Sequence, residues 1–307
     1  MVPETAGKSD SAHPAHGVKM SFLFVLLASV IYGCVPSLQE AVMLSGASPL
    51  GLVAVCNTVA ALAAGLMGLI RHESFRLERK TLPSLFFAGA VGLFLTDYLL
   101  NLSYTFIPVG FVTMIHFLYP TIVCLAMVIL FREKLTKGKV GAILCSIAGL
   151  ALLAGGDFSG DRRGIPVALA TAFAYAYYMI ANDRSPLGQA PLMVRSFYLN
   201  LLVALTALGV NLFSRSVVLP VGAGNWALSI LIGCLISTAT ILLNAGIRKL
   251  GAAKASFINM LEPVTSLLVS VLVYRYSVTV SAIFGCILIL ASLLLITLED
   301  RKQAEKP

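Results

Sequence analysis

Ten apolar runs of roughly 20 residues follow one another between residues 19 and 298, each long enough for a helix to cross a hydrocarbon core about 30 Å thick. The pattern predicts helices at 19–42, 47–70, 82–104, 108–131, 138–155, 164–182, 193–213, 225–246, 252–274 and 278–298. None of the runs shows the ten-residue alternation of a membrane strand, which argues against a barrel. Polar residues inside the runs are sparse, and their placement repeats. Tyr32 recurs as Tyr175, Glu40 as Asp183, Asn57 as Asn200, Asn101 as Asn244 and Pro120 as Pro263, every pair 143 positions apart without a gap. A Leu-rich chain matches Leu to Leu by chance, so the polar and proline pairs carry the weight. They indicate two copies of one unit.

Composition sharpens this into a membrane protein. Charged residues are 12% of the 307, against about a quarter in a soluble domain, and the mean hydropathy is +0.92. The net charge of +8 does not point to nucleic acid, because the basic residues sit in short loops between apolar runs. With the N-terminus cytoplasmic, every Lys and Arg except Arg162, Arg163, Arg215 and Arg275 falls on the inner side. Both termini are then cytoplasmic, in a multi-pass protein of the cytoplasmic (inner) membrane. Residues 1–18 read as a disordered cytoplasmic tail without the apolar stretch of a signal peptide, and 299–307 as a cytoplasmic C-terminal tail. The two copies occupy 19–155 and 162–298.

Five helices per copy is an odd number, so the second copy enters the membrane upside down. The loop after the third helix (Ser103 to Pro108) has no basic residue, while its counterpart carries Arg248, Lys249 and Lys254. The expected fold is therefore an all-α integral membrane protein of ten transmembrane helices, arranged as two inverted five-helix repeats. That architecture is characteristic of secondary transporters. Cys34, Cys56, Cys124, Cys145, Cys234 and Cys286 all lie within apolar runs and suggest neither a disulfide framework nor a metal site.

Polar groups in hydrocarbon are costly unless they face a cavity or a partner. The fourth helix carries His116, Tyr119 and Pro120, and its repeat partner, the ninth, carries Asn259, Glu262 and Pro263. Spacings of three and four put each trio on one helical face, and each proline removes a backbone hydrogen bond and marks a hinge. Asp97 and Asn101 on the third helix match Thr240 and Asn244 on the eighth. The first helix adds Tyr32, Pro36 and Glu40; the sixth adds Tyr175, Met179 and Asp183. The expectation is a polar cavity lined by helices 1, 3, 4, 6, 8 and 9. Its substrate-binding candidates are Asp97, His116, Tyr119, Asn259, Glu262, Tyr32, Tyr175, Asn101 and Asn244. Asp97 and Glu262 have no basic residue at i±3 or i±4, and burial favours the protonated form of such a carboxyl. With His116 they are the proton-coupling candidates; Pro120 and Pro263 are the hinge candidates. Plainer readings compete. Asn57, Asn101, Asn200 and Asn244 would also serve as interhelical hydrogen-bond glue, Glu40 and Asp183 as wetted ends of spans, His116 as a packed core residue, and Glu133 as a partner of nearby bases.

At these residues the chain resembles the EamA-type transporters of the drug/metabolite transporter superfamily. The resemblance covers roughly 20–298. It rests on the stretch 108–136 with its closing Glu133-Lys134-Leu135-Thr136, on Glu262-Pro263 in the ninth helix, and on Tyr32-Gly33 in the first. The chain departs from the family pattern where Arg132 stands before Glu133 in place of Gly, and where Tyr274-Arg275-Tyr276-Ser277 follows the ninth helix without an acid. The resemblance implies a secondary carrier, often an exporter of amino acids or other small metabolites, working by alternating access. Its partners would be a small-molecule substrate, protons and the lipid bilayer, as monomer or homodimer, with no nucleic acid, no cofactor and no metal. A lipid or lipid-linked-precursor flippase and a small-multidrug-type cation exporter are the alternatives on the same scaffold. A phosphate-ester carrier is weaker, because no Lys or Arg is expected deep in a span. No His-Glu-x-x-His, Gly-x-Gly-Asp or Walker A motif occurs, so an enzyme is not expected.

Overall fold

The computed structural model describes residues 14–107, 109–154, 161–274 and 279–304. Residues 1–13, the Arg275-Tyr276-Ser277 departure and the last three residues of the expected C-terminal tail lie outside them. The described chain is helical: α1 Pro14–Leu44, α2 Pro49–Ile70, α3 Leu82–Phe87, α4 Phe94–Ser103, α5 Val109–His116, α6 Tyr119–Phe131, α7 Lys137–Ala154, α8 Gly164–Arg184, α9 Leu192–Ser214, α10 Ala223–Leu250, α11 Ala252–Asn259, α12 Leu261–Tyr274 and α13 Val280–Ala304. A π-helical segment, Ala88–Leu93, joins α3 to α4. Among the described residues six helical stretches are long and apolar enough to cross a membrane: Val18–Leu44, Pro49–Ile70, Arg79–Ser103, Gly164–Arg184, Leu192–Ser214 and Ala223–Leu250. Tyr119–Phe131 and Ile283–Ile296 are shorter apolar helices. Large apolar side chains such as Leu62, Ile129, Leu212 and Leu272 are exposed on the outer surface, as a lipid-facing bundle requires.

Two expected helices are broken, and at matched places. The expected fourth helix divides at Phe117 and Leu118, and the expected ninth at Met260, 143 positions after Phe117. Leu118 N turns tightly to Ile115 O at 3.2 Å, and Met260 N to Phe257 O at 3.2 Å. Pro120 and Pro263 follow within the next turn and have no N–H for the carbonyls of His116 and Asn259. Each proline thus starts a new helix instead of bending an old one, since the first turn of a helix tolerates it.

Packing repeats under exchange of the two halves. The first helix of each half lies against the other half: α1 packs on α10 and α12, while α8 packs on α4, α5 and α6. Then α2 meets α9, and α7 meets α13. His72 and Arg215, again 143 apart, both end their helices with positive φ, at 53° and 49°. Small residues allow the closest crossings. A Cβ on Gly233 would lie 2.7 Å from Cys56 O, so α10 and α2 touch there backbone to backbone.

The connections gather at two ends. At one, Ser48 N donates to Val218 O at 3.0 Å, and Asp161 N to Phe106 O at 2.9 Å. At the other, the basic end, Glu73 Oε2 accepts from Met193 N (3.0 Å) and Val194 N (3.2 Å), and Asp183 Oδ2 accepts from Ala252 N at 3.0 Å. Glu133 there bridges Lys139, at 3.1 Å, and Arg184. Arg71, Arg76, Arg79, Lys80, Arg132, Lys134, Arg184, Arg248 and Lys249 belong to this end. The loops that touch are those a strictly alternating ten-crossing chain would put on the same side.

Arg132 closes α6 in the left-handed conformation, with φ of 57°. A side chain in that region carries a steric cost that glycine avoids. Replacing it, Arg132→Gly should stabilise the protein by about 0.5–1 kcal/mol, seen as a higher apparent melting temperature in detergent. A lower one would show that the Arg132 side chain matters more than its backbone.

Candidate functional site

A central cavity of about 80 Å³ lies between the two halves. Its polar wall is Tyr32 and Gln39 from α1, Asn57 from α2, Thr96, Asp97 and Asn101 from α4, His116 from α5, Tyr175 from α8, Asn200 from α9, Thr240 from α10 and Glu262 from α12. Val35, Pro36, Leu93, Leu100 and Ile236 complete it. The expected lining of six helices thus gains the second and seventh, through Asn57 and Asn200. Among the lining residues there are two carboxylates and no Lys or Arg.

Each carboxylate is held by an amide. Asn57 Nδ2 donates to Asp97 Oδ2 at 3.1 Å, and Asn259 Nδ2 to Glu262 Oε2 at 3.1 Å. Asn57 was expected as interhelical glue; it links α2 to α4 and also lines the cavity. Gly33 lets α1 reach Glu262, since a Cβ there would lie 2.7 Å from Glu262 O and 2.6 Å from Thr265 Cβ. That close approach brings Tyr32, whose hydroxyl is 2.9 Å from Thr240 Oγ1, to the same wall.

His116 and Asn259 occupy matched places at the two helix breaks, and each ties its break to the opposite half. His116 Nδ1 is 2.9 Å from Thr171 Oγ1 of α8, and Ser29 Oγ of α1 is 3.1 Å from Asn259 Oδ1. Thr171 Oγ1 also donates to Ala168 O at 2.6 Å. With that hydrogen used, the imidazole donates from Nδ1 and keeps Nε2 as its acceptor. Asn259 Nδ2 also meets Tyr119 Oη at 3.0 Å, so the residues that differ between the copies bond to one another.

Of the nine sequence-derived binding candidates, Tyr32, Asp97, Asn101, His116, Tyr175 and Glu262 stand on the cavity wall. Tyr119, Asn259 and Asn244 do not: all are fully buried behind it. Tyr119 packs edge-on against Tyr175, with ring centroids 4.7 Å apart. Asn244 Oδ1 accepts from Tyr178 Oη at 2.8 Å. Pro120 and Pro263 sit at the breaks described above. Glu40 is exposed and lines a vestibule at the end opposite the basic one. Among the described residues no cluster of three His, Cys, Asp or Glu side chains is arranged to hold a metal.

Sequence reasoning missed Arg195. Read as a loop cation, it is the first-turn residue of α9 whose side chain turns inward, with 0% exposure. Only its place two residues into an apolar run hints at this.

Shared lining residues link the central cavity to one end. A small cavity of about 20 Å³ shares Pro36, Leu100, His116 and Glu262 with it. That one shares Pro36, Tyr104 and Ser266 with the vestibule of about 550 Å³, which Glu40, Met43 and Thr105 also line, at the end opposite the basic one. A groove of about 480 Å³ at the basic end, lined by Lys80, Asn182, Asp183, Arg184 and Arg248, shares no residue with the central cavity.

The Asn57–Asp97 contact gives a direct test. Asn57→Ala and Asp97→Ala, alone and together, should show a coupling of about 1–3 kcal/mol in detergent stability. Strict additivity would mean that the two side chains do not bond.

Comparison with known proteins agrees with this architecture. The model of the EamA-like transporter family matches residues 19–155 and again 162–298. The chain is 28% identical over 227 residues to the protein named uncharacterized transporter YojE of Bacillus subtilis (strain 168), covering 70% of this chain and 72% of that one. It is 27% identical over 220 residues to an uncharacterized transporter of Synechocystis sp., covering 67% of this chain and 64% of that one. A solved structure titled only "Crystal structure of protein" shares the fold, with a TM-score of 0.76 and 23% identity over 93% of this chain and 99% of that one. Two family matches that together span most of the chain make it a multi-pass membrane transporter. The chain belongs to the EamA-like transporter family, within the drug/metabolite transporter superfamily.

Proposed function

We propose that the protein is a secondary transporter that exports small metabolites such as amino acids across the cytoplasmic membrane, by alternating access around the central cavity. One observation carries the reading: the cavity lies between the two copies, holds two carboxylates without a cation, and shares lining residues with a smaller cavity that leads toward the vestibule. Ten crossings in two inverted units fit the two-ended gathering of loops. The positive-inside rule then makes the basic end cytoplasmic, so both termini are cytoplasmic and the vestibule faces outward.

The cavity dimensions bear on the substrate. About 80 Å³ is well below the ~300–1,000 Å³ of ordinary ligand pockets. It suits an ammonium group between Asp97 and Glu262, with the rest of the molecule in the vestibule. An amino acid would set its carboxylate against the asparagine amides and the Tyr32 hydroxyl, while His116 Nε2 would accept from a donor on the substrate. A cation exporter is the second reading, favoured by the same pair of carboxylates beside Tyr32 and Tyr175, whose rings can face a cation. Asp97, Glu262 and His116 are the groups able to exchange a proton with substrate, and Pro120 and Pro263 mark where each broken helix pivots.

Counterflow in proteoliposomes, with a panel of amino acids and amines and with or without a pH gradient, tests this. Transport by the wild-type protein should fall at least about tenfold in Glu262→Gln and in Asp97→Asn, the scale of losing one charge-assisted contact. Wild-type rates in both variants would contradict the site.

A further inference from the structure

We propose that Tyr178, Arg195 and Asn244 form the gate that shuts the basic end, while their counterparts Val35, Leu52 and Asn101 leave the opposite end free to open. The word gate rests on the carrier reading above; the asymmetry itself is geometric. Each pair is separated by the same 143 positions that relate the two halves.

At the basic end the three residues tie α8, α9 and α10 together. Tyr178 Oη donates to Asn244 Oδ1 at 2.8 Å. Arg195 Nη2 donates to Asn244 O at 3.1 Å, and Nη1 to Gly188 O at 3.1 Å, in the connection Pro186–Gln189. All three side chains are fully buried. A planar guanidinium reaches two carbonyls on separate elements at once, which an ammonium on a flexible stem does poorly.

The opposite end repeats the backbone without these bonds. Val35 and Asn101 line the central cavity. Asn101 Oδ1, the equivalent of the atom that accepts from Tyr178, is buried without a partner. Leu52 offers no donor at the place of Arg195. Two exchanges, Val35 for Tyr178 and Leu52 for Arg195, therefore distinguish the open end from the shut one.

The closure is also built to come apart. Among the described residues no carboxylate pairs with Arg195, and its Nε and Asn244 Nδ2 are buried without partners. The hydration that a cation loses when buried against neutral carbonyls offsets most of what its bonds contribute, so they hold the end shut by a small margin. Opening the basic end would return the guanidinium to water, so the balance between shut and open is close, as a carrier cycle requires.

The test measures access from both faces in the full-length chain. Asn182→Cys reports on the basic-end groove and Ser266→Cys on the passage to the vestibule. Both are labelled with a membrane-impermeant maleimide in right-side-out and inside-out vesicles, and the signal of the six native cysteines is subtracted. Arg195→Leu should raise the ratio of Asn182→Cys to Ser266→Cys labelling at least roughly tenfold, the scale of losing even one of its two charge-assisted bonds. Tyr178→Phe should move it the same way by less, and Arg195→Lys should lie between Arg195→Leu and the parent. An unmoved ratio, or a shift toward the shut state, would overturn the gate. Should Arg195→Leu fail to fold, Tyr178→Phe, which removes one hydroxyl, carries the test alone. The readout needs no substrate, so a failed counterflow assay counts against the carrier reading and an unmoved ratio against the gate.

Discussion

Two carboxylates in an apolar bundle, with no cation beside them, set the terms for the rest of the structure. Hydrocarbon cannot solvate a carboxylate, so Asp97 and Glu262 need a wet or hydrogen-bonded surround. The bundle supplies both. Asn57 and Asn259 each give one amide hydrogen, and the cavity between the copies leaves the remaining faces of the carboxylates to water or a ligand. The helix break before Glu262 and the missing side chain of Gly33 bring that carboxylate to the wall. Were either acid paired with an arginine, the cavity would be a closed salt bridge with little left to offer a substrate.

The duplication explains how one chain builds such a site. Matched residues make the frame: Pro120 and Pro263 restart the broken helices, and Asn57 and Asn200 face the cavity from α2 and α9. Unmatched residues make the chemistry, and they meet across the axis. Tyr119 bonds to Asn259, and His116 shares the wall with Glu262. The same division separates the ends. Tyr178 and Arg195 bind at one, where Val35 and Leu52 leave the other without those contacts.

Much of this was legible in the sequence, for reasons that differ by residue. Span lengths follow from bilayer thickness, so the helices were placed close to where they stand; α1 begins at Pro14 because proline is tolerated in a first turn, and α13 runs on to Ala304. The repeat offset paired Pro120 with Pro263 and marked both as hinges of continuous helices; that each helix instead stops and restarts there was not legible, because the tight turns at Leu118 and Met260 depend on tertiary packing. Spacing alone could not say which polar residues would reach the cavity. Tyr119 and Asn259 share a helical face with residues that do, yet the turn at each break swings them behind the wall. Asn57 and Asn200 looked like interhelical glue because an asparagine in a span serves either purpose. Arg195 escaped notice because a basic residue at a span end ordinarily snorkels to the surface, and only tertiary packing on Gly188 and Asn244 turns it inward. The π-helical segment Ala88–Leu93 ahead of Asp97 carries no pattern that marks it in the chain.

The central claim is that the two ends open in alternation around one site. Spin labels at Leu44 and Thr105, which line the vestibule, and at Lys80 and Gln189, which line the basic groove, allow both ends to be measured by pulsed electron–electron resonance in lipid. The account predicts two distance populations for each pair, with the vestibule pair shortening as the groove pair lengthens when substrate or pH shifts the balance. A single unchanging distance at both ends under every condition, or two ends that open together, would contradict it.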